Sequence, residues 1–178
     1  MHKHIKDYTF LLIPAGIIIA LDQWTKALVR DRIPFGGSWS PWDWLAPYAR
    51  IVHWNNTGAA FGILQGYNIV FMLLAIGVAI AIIYYFPRIS SRDWVIRTAL
   101  MMQLAGALGN LIDRITLGKV TDFISIGNFA VFNVADSSIS VGVAILLLVV
   151  LYRDWREKKK THPQAGDIQT TTDEKTWR

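Results

Sequence analysis

From Tyr67 to Phe86 the chain reads YNIVFMLLAIGVAIAIIYYF, twenty residues without a charged side chain. A helix needs about twenty apolar residues to cross a hydrocarbon layer of roughly 30 Å, so this run fixes the class of protein before anything else does. Composition agrees: of 178 residues 53% are apolar, eight are Trp and the mean hydropathy is +0.32, too oily for an ordinary soluble domain of this size. The chain is expected to live in a membrane.

Three further spans follow from the same reading. Residues 8–29 open with fourteen charge-free residues and then carry Asp22 and Lys26; residues 94–112 hold only Arg97 near their start until the polar exit at Asn110; residues 133–152 hold Asp136 near theirs. A cleaved targeting peptide is the rival reading of the first span, but IIIALDQWTK offers no small-x-small cleavage site. Lys and Arg are retained on the cytoplasmic side of spans. Lys3, Lys6, Arg88, Arg92, Arg97, Arg153, Arg156 and Lys158 to Lys160 make ten on one side, against Lys26, Arg30, Arg32, Arg50, Arg114 and Lys119 on the other. Both termini are therefore expected in the cytoplasm.

The loop from Arg30 to Gly66 carries GGSWSPWDWLAPYARIVHW, whose aromatic rings suit the headgroup layer. ARIVHW and NFAVFN are short β-prone runs, and they predict a small extracytoplasmic strand layer. Residues 1–155 are expected to form one membrane domain. Residues 156–178 are polar and read as a disordered cytoplasmic tail with a lipid-facing basic start.

Several chemistries are excluded or weakened. There is no cysteine, hence no disulfide, thiolate nucleophile or Cys-ligated metal. Of His2, His4, His53 and His162 only His53 falls in an outer loop, which argues against a metal centre or a Ser-His triad, and no cofactor is expected. The net charge of +5 sits in short flanks around apolar runs, the pattern of a protein meeting anionic lipid, not nucleic acid. GALGNLIDR follows a span instead of a strand and is no phosphate loop.

What remains is a set of polar residues at one membrane face: Asp22, Lys26, Asn110, Asp113, Arg114, Asn133 and Asp136 at span ends, with Asn55, Asn56 and Asp122 in the loops. Ionisable groups in a membrane are costly, and their clustering asks for a function. Asp22 and Lys26 are spaced i,i+4 and read as a structural pair. Asn110, Asp113 and Arg114 share a face that serves either support or substrate contact. NNTGAAFG suits either tight packing or close approach of a bound chain. Asp122 and Asp136 have no basic partner at helical spacing. Asp136, followed by Ser137 and Ser138, is by itself explained as a helix N-terminal residue. Together the two acids fit a pair sharing one proton, in which one carboxyl serves as base toward water and the other as acid toward a carbonyl. A Ser137 or Ser138 pair with Lys119 is compatible with spacing but leaves both acids unexplained.

Four ordered stretches carry a family resemblance. DQWTK at Asp22 to Lys26, NTGAAF at Asn56 to Phe61, GNLIDR continuing into GKVTDF from Gly109 to Phe123, and FNVADSSI from Phe132 to Ile139 resemble the four boxes of the bacterial lipoprotein signal peptidases, signal peptidase II. The resemblance implies an all-α core of four transmembrane helices with a small extracytoplasmic β cradle and an interfacial segment. It implies an inner-membrane aspartyl endopeptidase that cleaves a diacylglyceryl-modified prolipoprotein before the lipidated cysteine. Asp122 and Asp136 match the catalytic dyad. Asn56, Gly58, Asn110, Arg114 and Asn133 match residues around the substrate, and Asp22, Lys26 and Asp113 match supporting positions. A monomer is expected, with membrane lipid as its surroundings and the Trp-rich loop as a candidate lid. The competing class is a proton or ion pathway built from the intramembrane acids, which their gathering at one face disfavours.

Overall fold

A computed structural model describes residues 2–58 and 64–161. The elements run α1 (His2–Arg32), β1 (Ser38–Trp39), β2 (Ala49–Asn56), α2 (Asn68–Tyr85), a 3-10 turn at Phe86–Arg88, α3 (Trp94–Leu117), β3 (Val120–Ile126) and α4 (Val134–Thr161). Among the described residues α2 with its following turn, α3 and α4 are long and apolar enough to cross a membrane. Large apolar side chains stay exposed along α2, such as Ile69, Leu73 and Ile80, and along α4, such as Val143, Leu147 and Val150. Such outward faces are stable only against lipid.

Helix α3 is the central element. It is the most buried of the three, because its apolar residues are interleaved with small ones that let neighbours approach. A Cβ on Gly106 would lie 2.3 Å from the Ala135 carbonyl oxygen and 2.6 Å from Ile139 Cγ1, so α3 and α4 meet there backbone to backbone. On the other side Leu11 and Ala15 of α1, Ala79 and Ile82 of α2, and Met101, Leu104 and Ala105 of α3 pack with Phe86 into the main apolar cluster. Near the start of α3 the buried Arg97 donates to Asp7 Oδ1 at 2.6 Å and to the Ile89 carbonyl at 3.1 Å, and its guanidinium lies 4.4 Å from the Phe86 ring centre. This fastens α1, α3 and the turn after α2 at one end of the bundle.

At the other end lies an antiparallel three-stranded sheet in the order β1-β2-β3. Gly118 ends α3 in the left-handed conformation, φ 70°, with its N–H on the Arg114 carbonyl at 3.1 Å, and so turns the chain straight into β3. Trp54 pairs with Asp122 and Asn56 with Val120, while a register shift between Ile51 and Trp54 bends β2. Between β1 and β2, Trp42 and Trp44 stack with ring centres 5.9 Å apart, and both are exposed.

Two expectations change in detail. ARIVHW lies in β2, but NFAVFN is not a strand: the third strand is VTDFISI, and Phe132 adds only an isolated bridge to Ile124. The reason is local, since Gly127 at φ 51° reverses the chain and leaves Phe132 to exchange backbone bonds with Ile124 in passing. Helix α4 continues to Thr161, beyond the expected boundary at 155 and into the stretch read as a disordered tail. Straight-chain helix formers there gain an i,i+4 pair between Asp154 and Lys158 at 2.8 Å. Residues 162–178 of the expected tail and residues 59–63 of the second box lie outside the described residues.

Candidate active site

The end of α3, the middle of β3 and the start of α4 bring Asn110, Asp122, Asn133 and Asp136 together. Asn133 donates from its side-chain amide to Asp122 Oδ1 at 2.8 Å, while its backbone N–H donates to Asp136 Oδ2 at 3.2 Å. One residue thus holds both carboxyl groups. The second oxygen of each is also engaged: Asn56 donates to Asp122 Oδ2 at 3.0 Å, and Asn110 to Asp136 Oδ1 at 2.7 Å. The Asn56 contact is a diagonal cross-strand one, available because Asn56 and Asp122 stand on the same face of β2 and β3. Asp122 is almost fully buried. Burial, and next the charge of Asp136, push its carboxyl from the ordinary 3.8 up to about 7, with the hydrogen bonds from Asn56 and Asn133 opposing them.

Behind this layer sits a fully buried ionic cluster. Lys26 Nζ lies 2.8 Å from Asp22 Oδ2 and 3.3 Å from Asp113 Oδ2, and donates to Asn110 Oδ1 at 2.8 Å. Asp22 Oδ1 accepts the Ala135 N–H at 2.9 Å, one of the unpaired donors at the start of α4, and Asp113 Oδ2 accepts the Thr121 N–H at 3.0 Å. The supporting residues therefore reach the two elements that carry Asp122 and Asp136. The i,i+4 pair expected within α1 is present, but it is part of a larger set. Asp113 pairs with Lys26 and lies 3.9 Å from Arg30.

Arg114 instead donates to the Gly58 carbonyl at 3.2 Å and lies over the Phe71 ring at 5.3 Å, while the Gly58 N–H caps back onto Asn56 Oδ1 at 2.9 Å. All of Asn56, Gly58, Asn110, Arg114, Asp122 and Asp136 line one cavity of about 650 Å³ between α2, α3 and α4. Lys119 is exposed and away from it, and His53 is used structurally, with Nδ1 2.8 Å from the Ile33 carbonyl. Among the described residues no cluster of His, Asp and Glu has the geometry to hold a metal ion.

Two participants escaped the sequence reading. Gln23 donates to Asp22, to Asp113 and to the Gly109 carbonyl at 3.0–3.2 Å, and Arg30 donates to Thr121 Oγ1 at 3.0 Å. Gln23 stands inside DQWTK, and its i,i+3 relation to Lys26 was the available signal.

Comparison with known proteins places this arrangement. The family model for Signal peptidase (SPase) II matches residues 14–152. A lipoprotein signal peptidase of Halalkalibacterium halodurans is 44% identical over 152 residues, covering 83% of this chain and 95% of that protein. One from Staphylococcus aureus is 36% identical over 164 residues, covering 90% and 98%. A bacterial membrane enzyme solved at 2.3 Å resolution superposes with a TM-score of 0.74 at 31% identity, over 90% of this chain and 94% of that one. A second, solved at 1.9 Å, gives 0.70 at 34% identity. The chain belongs to the signal peptidase II family.

Proposed function

We propose that the chain removes the signal peptide from diacylglyceryl-modified prolipoproteins by hydrolysing the bond before the lipidated cysteine, with Asp122 and Asp136 as an aspartyl dyad. Family membership supports a protease acting on prolipoproteins. The observation that carries the aspartyl reading is the double grip of Asn133 on the two carboxyl groups in the wall of a cavity between apolar helices.

In this reading the shared proton rests on Asp122, whose carboxyl is buried and pushed up to about 7. Asp136 stands in the first turn of α4, where negative charge meets the positive end of the helix dipole. Asp136 takes a proton from water as its oxygen attacks the scissile carbonyl carbon, and Asp122 donates its proton to the carbonyl oxygen. Asp136 then returns the proton to the amide nitrogen as the C–N bond breaks, and Asp122 recovers one from the collapsing diol. Protons balance over the cycle, and the products are a free carboxyl and an amine. Arg114 with Asn56 and the Gly58 backbone holds the substrate chain. Asn110 and Asn133 align the acids.

Residues 1–155 form one domain with α1 as a fourth span, in the bacterial inner membrane as a monomer, with both termini cytoplasmic. A lipid-anchored substrate then meets the dyad at the extracytoplasmic face without searching solution. The Trp-rich loop closes over it. The ion-pathway alternative is disfavoured because Asp22, Asp113, Asp122 and Asp136 form one cluster, while Asp7 is neutralised by Arg97 at the far end.

The test is incubation of the purified protein in detergent with a diacylglyceryl-modified prolipoprotein and with its unlipidated precursor. Cleavage of the first alone is expected. Failure to cleave either, or ion conduction in liposomes without proteolysis, would overturn the reading.

A further inference from the structure

The cavity extends well past the dyad, down into the spans. On α2 it is walled by Phe71, Leu74, Ala75 and Val78, which repeat along one helix face. The opposite wall has two polar side chains that the site described above does not use, Gln103 on α3 and Ser140 on α4. Asn56, Asn110, Arg114, Asp122, Asp136 and Ser137 of the same lining all take part in hydrogen bonds. The side chains of Gln103 and Ser140 have no hydrogen-bond partner among the described residues.

That is costly where they stand. Ser140 is exposed and Gln103 half-buried, and both lie within helices apolar enough to span a membrane, where an amide or hydroxyl facing hydrocarbon loses its bonds to water without replacement. Serine in a helix commonly bonds back to its own preceding turn, and Ser140 does not. The stem of Gln103 is seated against Gly142, whose missing Cβ would fall 3.0 Å from Gln103 Cγ. This keeps the side chain beside α4 at the cavity wall.

Their depth has a period. Ser140 stands four residues below Asp136 on α4, about 6 Å at 1.5 Å per residue; Gln103 stands seven residues from Asn110 on α3, about 10 Å. An extended chain advances about 3.3 Å per residue, so these levels correspond to two and three residues from the bond held at the dyad. A signal segment must unwind to present one peptide bond to two carboxyls. The residues that unwind lose their helical hydrogen bonds inside the membrane, where no water replaces them.

Resting on the function proposed above, we propose that Ser140 and Gln103 form a polar track that hydrogen-bonds the main chain of the signal peptide two and three residues before the scissile bond. The track satisfies the backbone of the unwound segment, and it reads extended conformation instead of side-chain identity. Gln103 offers both a donor and an acceptor to a passing peptide unit, and Ser140 offers the same from the facing helix.

The experiment uses the full-length protein in detergent and synthetic diacylglyceryl lipopeptides. One carries an ordinary peptide bond and another an ester in place of the amide at the third residue before the cleavage site, which removes a single N–H. Wild type is expected to lose about tenfold in kcat/KM on the ester. Gln103→Met is expected to lose about tenfold on the ordinary lipopeptide and to be indifferent to the ester. Ser140→Ala is expected to respond in the same way to an ester at the second residue. Equal ester sensitivity of wild type and both variants would overturn the track while leaving the protease reading standing. Absence of cleavage of any lipopeptide by wild type would overturn both.

Discussion

Lys26 Nζ donates to Asn110 Oδ1 at 2.8 Å, and that one bond decides which way the Asn110 amide faces. An ammonium has no acceptor, so the carbonyl oxygen must point at Lys26, and the NH₂ group is left to face Asp136, 2.7 Å away. Asn133 adds a second donor to the same oxygen at 3.1 Å. The buried lysine thus sets the polarity of the contact made to Asp136 without touching it.

Replacing Lys26 by Met strands the buried Asp22 without its cation and leaves the buried Asp113 with Arg30 alone, at 3.9 Å. Breaking a buried pair in this way typically costs about 3–5 kcal/mol. Lys26→Met is therefore expected to lower the midpoint of thermal unfolding in detergent sharply, and adding Asp22→Asn to recover part of the loss. An unchanged midpoint in the single variant would contradict the ionic account of the cluster.

Asp122→Asn and Asp136→Asn keep the side-chain volume and remove the capacity to exchange a proton. Each is expected to reduce cleavage of a diacylglyceryl-modified prolipoprotein by roughly 10²–10⁴-fold or more, with membrane insertion and unfolding midpoint retained. Single-turnover assays on purified protein decide it, and near-wild-type cleavage by either variant would remove the dyad.

Asp122 gives the proposed dyad its pH dependence. Its carboxyl sits at about 7 in the folded protein against an ordinary 3.8, so between these values the native state binds a proton that the unfolded chain has released. Stability then falls as pH rises through that window and levels off above about pH 7. The unfolding midpoint is expected to be higher at pH 5 than at pH 8 in wild type, and this difference to shrink in Asp122→Asn. With Asp122 as the acid, kcat/KM also declines above about pH 7, the apparent value belonging to the pair.

At Gly106 the backbones of α3 and α4 touch. Alanine there places a methyl carbon against the Ala135 carbonyl oxygen, a contact that side-chain motion cannot relieve. Gly106→Ala is expected to cost roughly 1–3 kcal/mol and to depress kcat further than that loss explains, because the displaced helix carries Asp136. Circular dichroism melts alongside cleavage rates separate the two effects.

The sequence made the three most apolar helices plain, since absence of charge over a membrane thickness leaves few alternatives. It also picked out most of the polar residues that meet in the fold, those at span ends because each departs from an apolar background, and Asn56 and Asp122 as polar residues of the loops. It could not show how they pair. Lys26 meets Asn110 across 84 positions and Asp22 meets Ala135 across 113, and no local spacing encodes either. The third strand was missed for a different reason: VTDFISI is buried along most of its length, so it lacks the in-out alternation that marks a half-exposed strand. NFAVFN had the composition of a strand, yet it follows a turn and touches the sheet only at Phe132.

Polar fastening is unevenly distributed around the cavity. Helix α1 is tied to α3 at both ends, by Asp7 with Arg97 and by Lys26 with Asp113, and α4 is tied to them through Ala135 and Asp136. Helix α2 has no charged residue, and among the described residues its one side-chain hydrogen bond to α1 is a long one, Tyr8 Oη to the Ile83 carbonyl at 3.4 Å. Lipid tails replace apolar contacts almost without loss, whereas they replace an ion pair not at all. The cavity is accordingly stiff on the side that bears the carboxyl groups and compliant on the side of Phe71 to Val78. A helix arriving laterally from the bilayer can part that wall while Asp122 and Asp136 stay in register.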